Sequence, residues 1–275
     1  MSIFDEVMGN NYTVFKNPDI FTIDYLPEII QCRDKQLRSI LMNIKPVLLN
    51  SKTINTILIG NTSTGKTTVL KHALREIEEH TNITTCYINC NIQDTARKCY
   101  LQIYRVLFGH DSRRNLSTEI IQEEVMNKLE EESIILAIDD LNYLSKNDAN
   151  KIINDFFRAN EFYHSNMALI VTINNETFKY CLEKNAQSIL LGHEIEFNDY
   201  TEEEIYTILK YRCELGFKEG VISDSQIKKI SHHSAKYGNI RKGLTIIYML
   251  AQEVDSENRT KIEDEDIIKH IVLLD

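Results

Sequence analysis

The hydrophobic pattern of roughly the first two hundred residues alternates between short apolar segments and amphipathic ones. The apolar segments are rich in β-branched residues, which is typical of strands buried in a parallel sheet. The segments between them place apolar residues three and four positions apart, which predicts helices. Because strands that alternate with helices need crossover connections, the sequence predicts an α/β core with a parallel five-stranded sheet. The predicted strands cover residues 56–60, 83–89, 134–138, 168–173 and 194–197.

The helices of this part follow an irregular N-terminal arm that Pro18 and Pro27 interrupt. Asp94 is a favourable N-cap residue, so we expect it to begin the helix that runs to Phe108. The predicted helices cover residues 33–49, 66–79, 94–108, 118–131 and 147–163.

The pattern changes near residue 198, because only helical spacing follows. We therefore predict two domains, a core with the N-terminal arm at 1–197 and a small all-helical domain at 198–275. The predicted helices of the second domain cover residues 201–215, 223–237, 239–253 and 263–273.

Composition and charge are those of an ordinary globular protein. The chain has 275 residues, of which 43% are hydrophobic and 26% charged. The net charge of −10 argues against a generally basic nucleic-acid-binding protein but leaves room for a local basic patch. Apolar runs of membrane-spanning length and a signal peptide are both missing from the sequence, so we expect a soluble, cytoplasmic protein with no membrane partner.

The loop that follows the first predicted strand matches the phosphate-binding pattern GxxxxGK[ST] in full. Its glycines let the backbone wrap around a polyphosphate, and its amides and the following helix N-terminus point at negative charge. We expect Lys66 to reach the β- and γ-phosphates of ATP and the Thr67 hydroxyl to hold Mg²⁺. A glycine-rich turn that binds nothing is the alternative, and the flanking strand and helix disfavour it. The predicted nucleotide-binding residues here are Gly60, Asn61, Thr62, Ser63, Thr64, Gly65, Lys66, Thr67 and Thr68.

Polar residues end two other predicted strands. Asp139 and Asp140 follow the apolar run 134–138, and Asn174 follows the run 168–173. In a phosphate-loop ATPase, the first acid binds Mg²⁺, usually through water, and the second polarises the attacking water. Solvated acids at a strand end, and an ordinary turn residue in the case of Asn174, are the alternatives. We predict that Asp139 is a metal ligand and that Asp140 is catalytic.

Short segments from about Ile20 to Asp275 match the motifs of one known family in order and spacing. Together they resemble the archaeal replication initiators of the origin-recognition and cell-division-control type, which are AAA+ ATPases. The segments are Asp24-Tyr25-Leu26-Pro27-Glu28, Ile88-Asn89-Cys90, Arg113-Arg114-Asn115-Leu116-Ser117, Ile173-Asn174-Asn175 and Gly238-Asn239-Ile240-Arg241-Lys242-Gly243-Leu244.

The resemblance implies a phosphate-loop AAA+ core followed by a helical lid, with ATP or ADP and Mg²⁺ as cofactors. It implies that Tyr25, Leu26 and Pro27 border the adenine. Asn174 would be the sensor that hydrogen-bonds the attacking water or the γ-phosphate. Arg241 would be the second sensor and would reach from the lid to the γ-phosphate, although a solvated surface arginine is the alternative.

The resemblance also implies contact with duplex DNA through an insertion that contains Arg113 and Arg114. These two residues belong to the densest basic group of the chain, for which a merely solvated surface is the alternative. The group consists of Arg97, Lys98, Arg105, Arg113 and Arg114.

The sequence departs from the family pattern in three ways. The family has Asp-Glu where this chain has Asp139 and Asp140. The position of the arginine that acts on a neighbouring subunit's nucleotide is Asn185 here, and the adjacent Lys184 is a poor substitute for a guanidinium. Family members usually continue into a winged-helix DNA-binding domain, whereas this chain stops where the lid is expected to end.

We therefore expect a replication-initiator-type ATPase that binds ATP with Mg²⁺, engages duplex DNA weakly and hydrolyses ATP slowly. One alternative is a hydrolysis-poor binding module that regulates or assembles with a full-length initiator or other AAA+ subunits. Another is an AAA+ ATPase that acts on protein partners and has no DNA role.

Overall fold

The structure is a computed structural model, and it describes residues 14–49, 51, 53–112, 116–157, 159, 166–174, 176–190 and 193–274. The described residues form two compact units. The core unit spans 33–198, and the helical unit combines 14–32 with the chain from residue 199 onward. The units therefore divide near the predicted boundary, but the described part of the arm groups with the helical unit and not with the core.

The core unit contains a parallel sheet of five strands in the order β2-β3-β4-β1-β5. The central strands β3 and β4 are buried along their whole length, which explains their continuous apolar sequence. The predicted fold class is thereby confirmed. The strands are β1 Thr56–Ile59, β2 Thr84–Asn89, β3 Ile134–Asp139, β4 Met167–Ile173 and β5 His193–Glu196.

Helices fill the connections between these strands. The helix predicted to begin at Asp94 has Thr95 as its N-cap, whose hydroxyl accepts the Lys98 amide, while Asp94 pairs with the Lys98 ammonium. Two short helices after β4 were not predicted. The core helices are α1 Asp34–Leu48, α2 Lys66–His80, α3 Ala96–Phe108, α4 Thr118–Glu131, α5 Lys146–Phe157, α6 Glu176–Cys181 and α7 Lys184–Ile189.

The helical unit consists of four helices and the described part of the arm, which includes a 3₁₀ turn at Pro18–Phe21. Capping boxes at Thr201 and Ser223 define where the first two helices begin. Across the described ranges, none of the helices is both long enough and apolar enough to cross a membrane. The helices are α8 Glu202–Gly216, α9 Asp224–Lys236, α10 Ile240–Ser256 and α11 Asp264–Leu274.

Aromatic packing explains why the arm belongs to the helical unit. The Phe21 ring lies 4.3 Å from that of Phe217, and the Phe15 ring lies 5.6 Å from it. Phe15 also forms an antiparallel bridge with Phe217. The arm therefore supplies side chains to the hydrophobic core of the helical unit.

Candidate nucleotide site

The phosphate loop, residues 60–67, follows β1 at the carboxyl edge of the sheet and leads into α2. Gly60 is required by a close approach, because a Cβ there would lie 2.1 Å from the carbonyl oxygen of Phe197. Gly65 adopts a φ of 92°, which favours glycine, and it begins α2 without a side-chain cap. The helix therefore presents uncapped amides at the loop, as anion sites do.

The Lys66 side chain is folded into this loop. Lys66 is only 4% exposed, and its ammonium donates hydrogen bonds to the carbonyl oxygens of Gly60 at 2.8 Å and Asn61 at 2.6 Å. The Thr64 hydroxyl donates to the Asn61 carbonyl at 2.9 Å. The loop thus holds a buried positive charge against its own carbonyl groups.

The remaining loop residues differ in exposure. Asn61 and Thr62 are exposed, whereas Ser63 is buried and adopts a φ of 66°, a strained conformation for a residue with a Cβ. Thr68 is half-buried in the first turn of α2. The loop is therefore open to solvent at Asn61 and Thr62.

Asp139 lies at the end of β3, is 1% exposed and accepts three hydrogen bonds from hydroxyl groups. Its Oδ2 accepts from Thr67 at 2.8 Å and from Tyr87 at 2.7 Å. Its Oδ1 accepts from Thr172 at 2.6 Å. The structure thereby brings the two predicted metal-binding residues, Thr67 and Asp139, into direct contact.

Asp140 and Asn174, which follow β3 and β4 respectively, are also in contact. The Asn174 amide donates to Asp140 Oδ1 at 2.7 Å, and Asn91 donates to Oδ2 at 2.9 Å. Burial and the neighbouring charge of Asp139 raise the pKa of Asp140, while these two amides oppose the rise. Asp140 adopts a φ of 59°, so its carboxylate is held in place at a local backbone cost.

Tyr87, Asn91 and Thr172 belong to this site but were missed by the sequence analysis. Tyr87 and Thr172 lie on β2 and β4, the two strands that flank β3. Burial and the Asp139 charge raise the pKa of the Tyr87 hydroxyl, so it remains a donor. The available signal was a polar residue inside each strand, but the strand order that makes them neighbours of Asp139 was not known.

Arg33 supports the phosphate loop from the start of α1. It is 4% exposed, and its guanidinium donates to the carbonyl oxygens of Thr64 at 3.1 Å and Asn198 at 2.6 Å. The guanidinium carbon also lies 5.9 Å from the centre of the Phe197 ring. Arg33 therefore joins the phosphate loop to the chain that follows β5.

Four of the predicted site residues lie in the helical unit. Arg241 is exposed, and within the described chain its guanidinium forms no hydrogen bond or ion pair. Tyr25 and Leu26 are half-buried, and Pro27 is buried. Arg212, which was not predicted from the sequence, lies against Tyr25: its guanidinium carbon is 4.5 Å from the centre of the Tyr25 ring.

Arg212 fixes the arm, since its guanidinium donates to the carbonyl oxygens of Ile20 at 2.7 Å and Tyr25 at 3.2 Å. Burial lowers the pKa of Arg212.

The predicted DNA-binding residues Arg113 and Arg114 lie outside the described residues. Of the same basic group, Lys98 pairs with Asp94 at 2.7 Å and Arg105 pairs with Asp111 at 2.6 Å. The Arg97 guanidinium donates to the Thr118 hydroxyl and the Leu116 carbonyl. The described members of the group are therefore engaged within the protein.

Two protein families match the chain, and they fall on either side of the unit boundary. An AAA domain matches residues 51–180, and a Cdc6 AAA+ ATPase-type lid domain matches residues 206–270. The fold and the phosphate loop thus define an AAA+ protein with a Cdc6-type lid.

Two relatives identify the family more closely. ORC1-type DNA replication protein 2 of Methanothermobacter thermautotrophicus is 32% identical in an alignment of length 269 that covers 95% of this chain and 71% of the relative. The protein of the same name from Methanosarcina mazei is 34% identical in an alignment of length 263 that covers 94% of this chain and 70% of the relative. The chain therefore belongs to the ORC1-type DNA replication proteins, and the resemblance found in its motifs is confirmed.

Solved structures agree on the fold. The Aeropyrum pernix ORC1 protein in complex with DNA has a TM-score of 0.86 at 21% identity, covering 96% of this chain and 71% of that one. Cdc6p from Pyrobaculum aerophilum has a TM-score of 0.83 at 23% identity, covering 94% and 71%. The Aeropyrum pernix ORC2 protein, solved as ADPNP–ADP complexes, has a TM-score of 0.82 at 17% identity, covering 94% and 73%.

Proposed function

We propose that this chain is an ATP-binding replication initiator that engages duplex DNA and hydrolyses ATP slowly. One observation carries the proposal: the Thr67 hydroxyl is hydrogen-bonded to Asp139 at 2.8 Å, directly beside a buried Lys66 in the phosphate loop. This combination places a positive charge and a hydroxyl–carboxylate pair at one helix N-terminus, which suits a nucleotide polyphosphate with its metal ion.

The residues present fit both cofactors. The uncapped amides of α2 and the Lys66 ammonium are donors only, so they suit the oxygens of the phosphates. Thr67 and Asp139 offer hard oxygen atoms, which Mg²⁺ prefers. Bound Mg²⁺ would neutralise negative charge on the phosphates. The adenine contact of Tyr25, Leu26 and Pro27 and the γ-phosphate contact of Arg241 remain part of the proposal.

Asp140 and Asn174 would orient the attacking water, because their side chains are already hydrogen-bonded to each other. We expect turnover to be slow for two reasons. Asp140 is one methylene shorter than the glutamate of the family, and Asn185 stands where the family has an arginine that acts on a neighbouring subunit. Neither change removes a group that holds nucleotide or metal, so binding is expected to persist.

DNA engagement is proposed from the insertion that contains Arg113 and Arg114. Support comes from a protein of similar fold, the Aeropyrum pernix ORC1 protein, which was solved in complex with DNA. Other AAA+ subunits are the proposed protein partners. The cytoplasmic location stays a prediction.

Asn185 favours a second candidate function. Without an arginine at this position, the chain has no guanidinium there to complete a neighbour's active site. The second candidate is a hydrolysis-poor module that binds nucleotide and regulates or assembles with a full-length initiator.

The first test is nucleotide binding by the Lys66→Ala variant. We expect the wild-type protein to bind ADP and ATP and to be stabilised against heat by them, since a ligand of the native state alone shifts unfolding by mass action. Lys66→Ala should lose both effects, whereas Lys98→Ala, which removes an exposed lysine, should keep them. Calorimetric binding and melting curves measure both. A wild-type protein with no adenine-nucleotide binding would contradict the proposal.

A further inference from the structure

The hydrogen-bonding capacity of Asp139 is almost filled by the protein itself. A carboxylate offers about four acceptor positions, two on each oxygen. Oδ2 accepts from both Thr67 and Tyr87, and Oδ1 accepts from Thr172. Within the described residues, one acceptor position on Oδ1 is left. Asp139 therefore has few acceptor positions left with which its carboxylate oxygens could bind a metal ion directly.

The Tyr87 hydroxyl is held firmly in this arrangement. Its strand pairs with that of Asp139 in parallel register, with Asn89 beside Asp139. The Lys71 ammonium, one turn after Thr67 on α2, lies 5.1 Å from the centre of the Tyr87 ring. The ring is thus fixed from the helix that carries one metal-binding residue and the strand that neighbours the other.

We propose that Tyr87 is a positioning residue that sets the cation preference of the site, by keeping Asp139 hydrogen-bonded to the protein and in contact with the cation through water. The inference rests on the proposed nucleotide and Mg²⁺ site. Mg²⁺ retains several of its water ligands in proteins, whereas Ca²⁺ takes six to eight oxygen ligands and readily accepts carboxylates directly. A carboxylate whose acceptor positions are occupied by hydroxyl donors therefore suits Mg²⁺ better than Ca²⁺.

Removal of the Tyr87 hydroxyl should free one acceptor position on Oδ2 and let Asp139 bind a cation directly. The test titrates Mg²⁺ and Ca²⁺ separately into protein with a fluorescent ADP analogue and compares the two half-saturating concentrations. In Tyr87→Phe, we expect the preference for Mg²⁺ over Ca²⁺ to fall about tenfold, as for other changes behind a metal ligand. Tyr180→Phe is the matched control, because Tyr180 is 77% exposed.

Binding of the analogue in EDTA shows that Tyr87→Phe is folded. If Tyr87→Phe binds the analogue in EDTA but the ratio of its half-saturating Mg²⁺ and Ca²⁺ concentrations is unchanged, the inference is overturned and the proposed function stands. Wild-type protein that binds the analogue equally with and without cations would instead overturn the proposed Mg²⁺ site.

A second measurement needs no variant. Wild-type protein with ¹³C-labelled aspartate is loaded with ADP and Mn²⁺, and electron–nuclear double resonance detects carboxylates bound directly to the metal ion. We expect no ¹³C coupling from a directly bound aspartate. Such a coupling, assigned by its loss in Asp139→Asn, would overturn the role given to Tyr87.

Discussion

Arg33 shows how much one side chain contributes to the phosphate loop. Its planar guanidinium bonds two carbonyl groups that are far apart in the sequence, those of Thr64 and Asn198. A lysine has one nitrogen and does not reproduce this fork. The loop conformation therefore depends on an arginine that contacts neither acid of the site in the described structure.

The Arg33→Lys variant is predicted to be less stable by about 2 to 3 kcal/mol, since hydrogen bonds from charged groups to buried carbonyls are worth about 1.5 to 3 kcal/mol each. It should also bind ADP more weakly, because the phosphate loop loses the hydrogen bond from Arg33 to the Thr64 carbonyl. Urea unfolding and ADP titration measure the two effects. Arg38→Lys, an exposed arginine on the same helix, is the control and should change neither.

The short side chain of Asp140 is one reason why ATP hydrolysis is expected to be slow. Two amides fix its carboxylate, at 2.7 and 2.9 Å, so it cannot move forward to compensate for its short side chain. A base that lies about 1 Å back from its required position loses about a hundredfold in rate.

Asp140→Glu is therefore predicted to raise the rate of ATP hydrolysis, and Asp140→Asn to lower it further, with ADP affinity unchanged in both. Single-turnover hydrolysis of radiolabelled ATP measures the rates. Wild-type turnover near the ~10 s⁻¹ typical of enzymes would refute the explanation.

At the residue scale, the site residues that could be predicted from the sequence are those that belong to a local motif. Lys66 and Thr67 follow from the spacing of the loop, and Asp139 follows from its position after an apolar run. Tyr87 and Thr172 could not be predicted, because they become neighbours of Asp139 only through strand order and register. The contacts of Arg33 and Asn91 with the site could not be predicted either, because their hydrogen-bond partners are distant in the chain.

At the scale of elements, a bidentate ion pair stabilises the connection between α10 and α11. The Arg259 guanidinium donates to both carboxylate oxygens of Asp266, at 2.9 and 3.1 Å. Hydrogen bonding from Arg259 lowers the pKa of Asp266 below its usual value. The contribution of this pair to stability is thus present above the ordinary aspartate range and is lost as the pH falls below about 4.

Asp266→Asn is predicted to lower the free energy of unfolding by about 1 kcal/mol at pH 7 and to have a smaller effect at pH 3, where the wild-type carboxylate is itself being protonated. Denaturant unfolding at the two pH values measures the difference. Asp264→Asn, in the same helix turn but in an exposed pair with Lys229, is the control. An equal loss at both pH values would contradict the role of the ion pair.

Most elements could be predicted, since long amphipathic helices and buried strands carry strong periodic signals. The helix at 118–131 matches its predicted bounds, α1 is one residue shorter than predicted at each end, and α2 is one residue longer at its C-terminal end. Helices α6 and α7 were missed because each has only six residues, too few to show a period. The Asp94 cap was wrong by one position because the next residue, Thr95, is also a favoured cap residue, while the Asp94 carboxylate pairs with Lys98.

At the scale of the whole molecule, net charge opposes DNA binding. The chain carries −10, and the described members of its densest basic group are engaged with other protein groups. Few cations are then available for phosphates, so binding to duplex DNA should be weak and largely independent of sequence.

The logarithm of the DNA affinity is predicted to fall with the logarithm of salt concentration with a slope of about −2 to −5. Arg113→Ala combined with Arg114→Ala should weaken binding and make this slope shallower. Fluorescence anisotropy with a labelled duplex measures both. The control is Arg38→Ala combined with Lys45→Ala, which removes two exposed cations of α1. Equal affinities for the Arg113/Arg114 variant and the wild type would remove the insertion from the DNA site.

The position of β1 in the sheet has a consequence for synthesis of the protein on the ribosome. β1 carries the phosphate loop, yet Thr56 pairs with Ile170 and His193, which are translated much later. Until then the nascent chain can pair only β2 with β3, and β1 is an apolar strand without neighbours. A nascent chain that ends before β4 therefore cannot bring the phosphate loop beside Asp139, and β1 is the segment that a chaperone would need to protect.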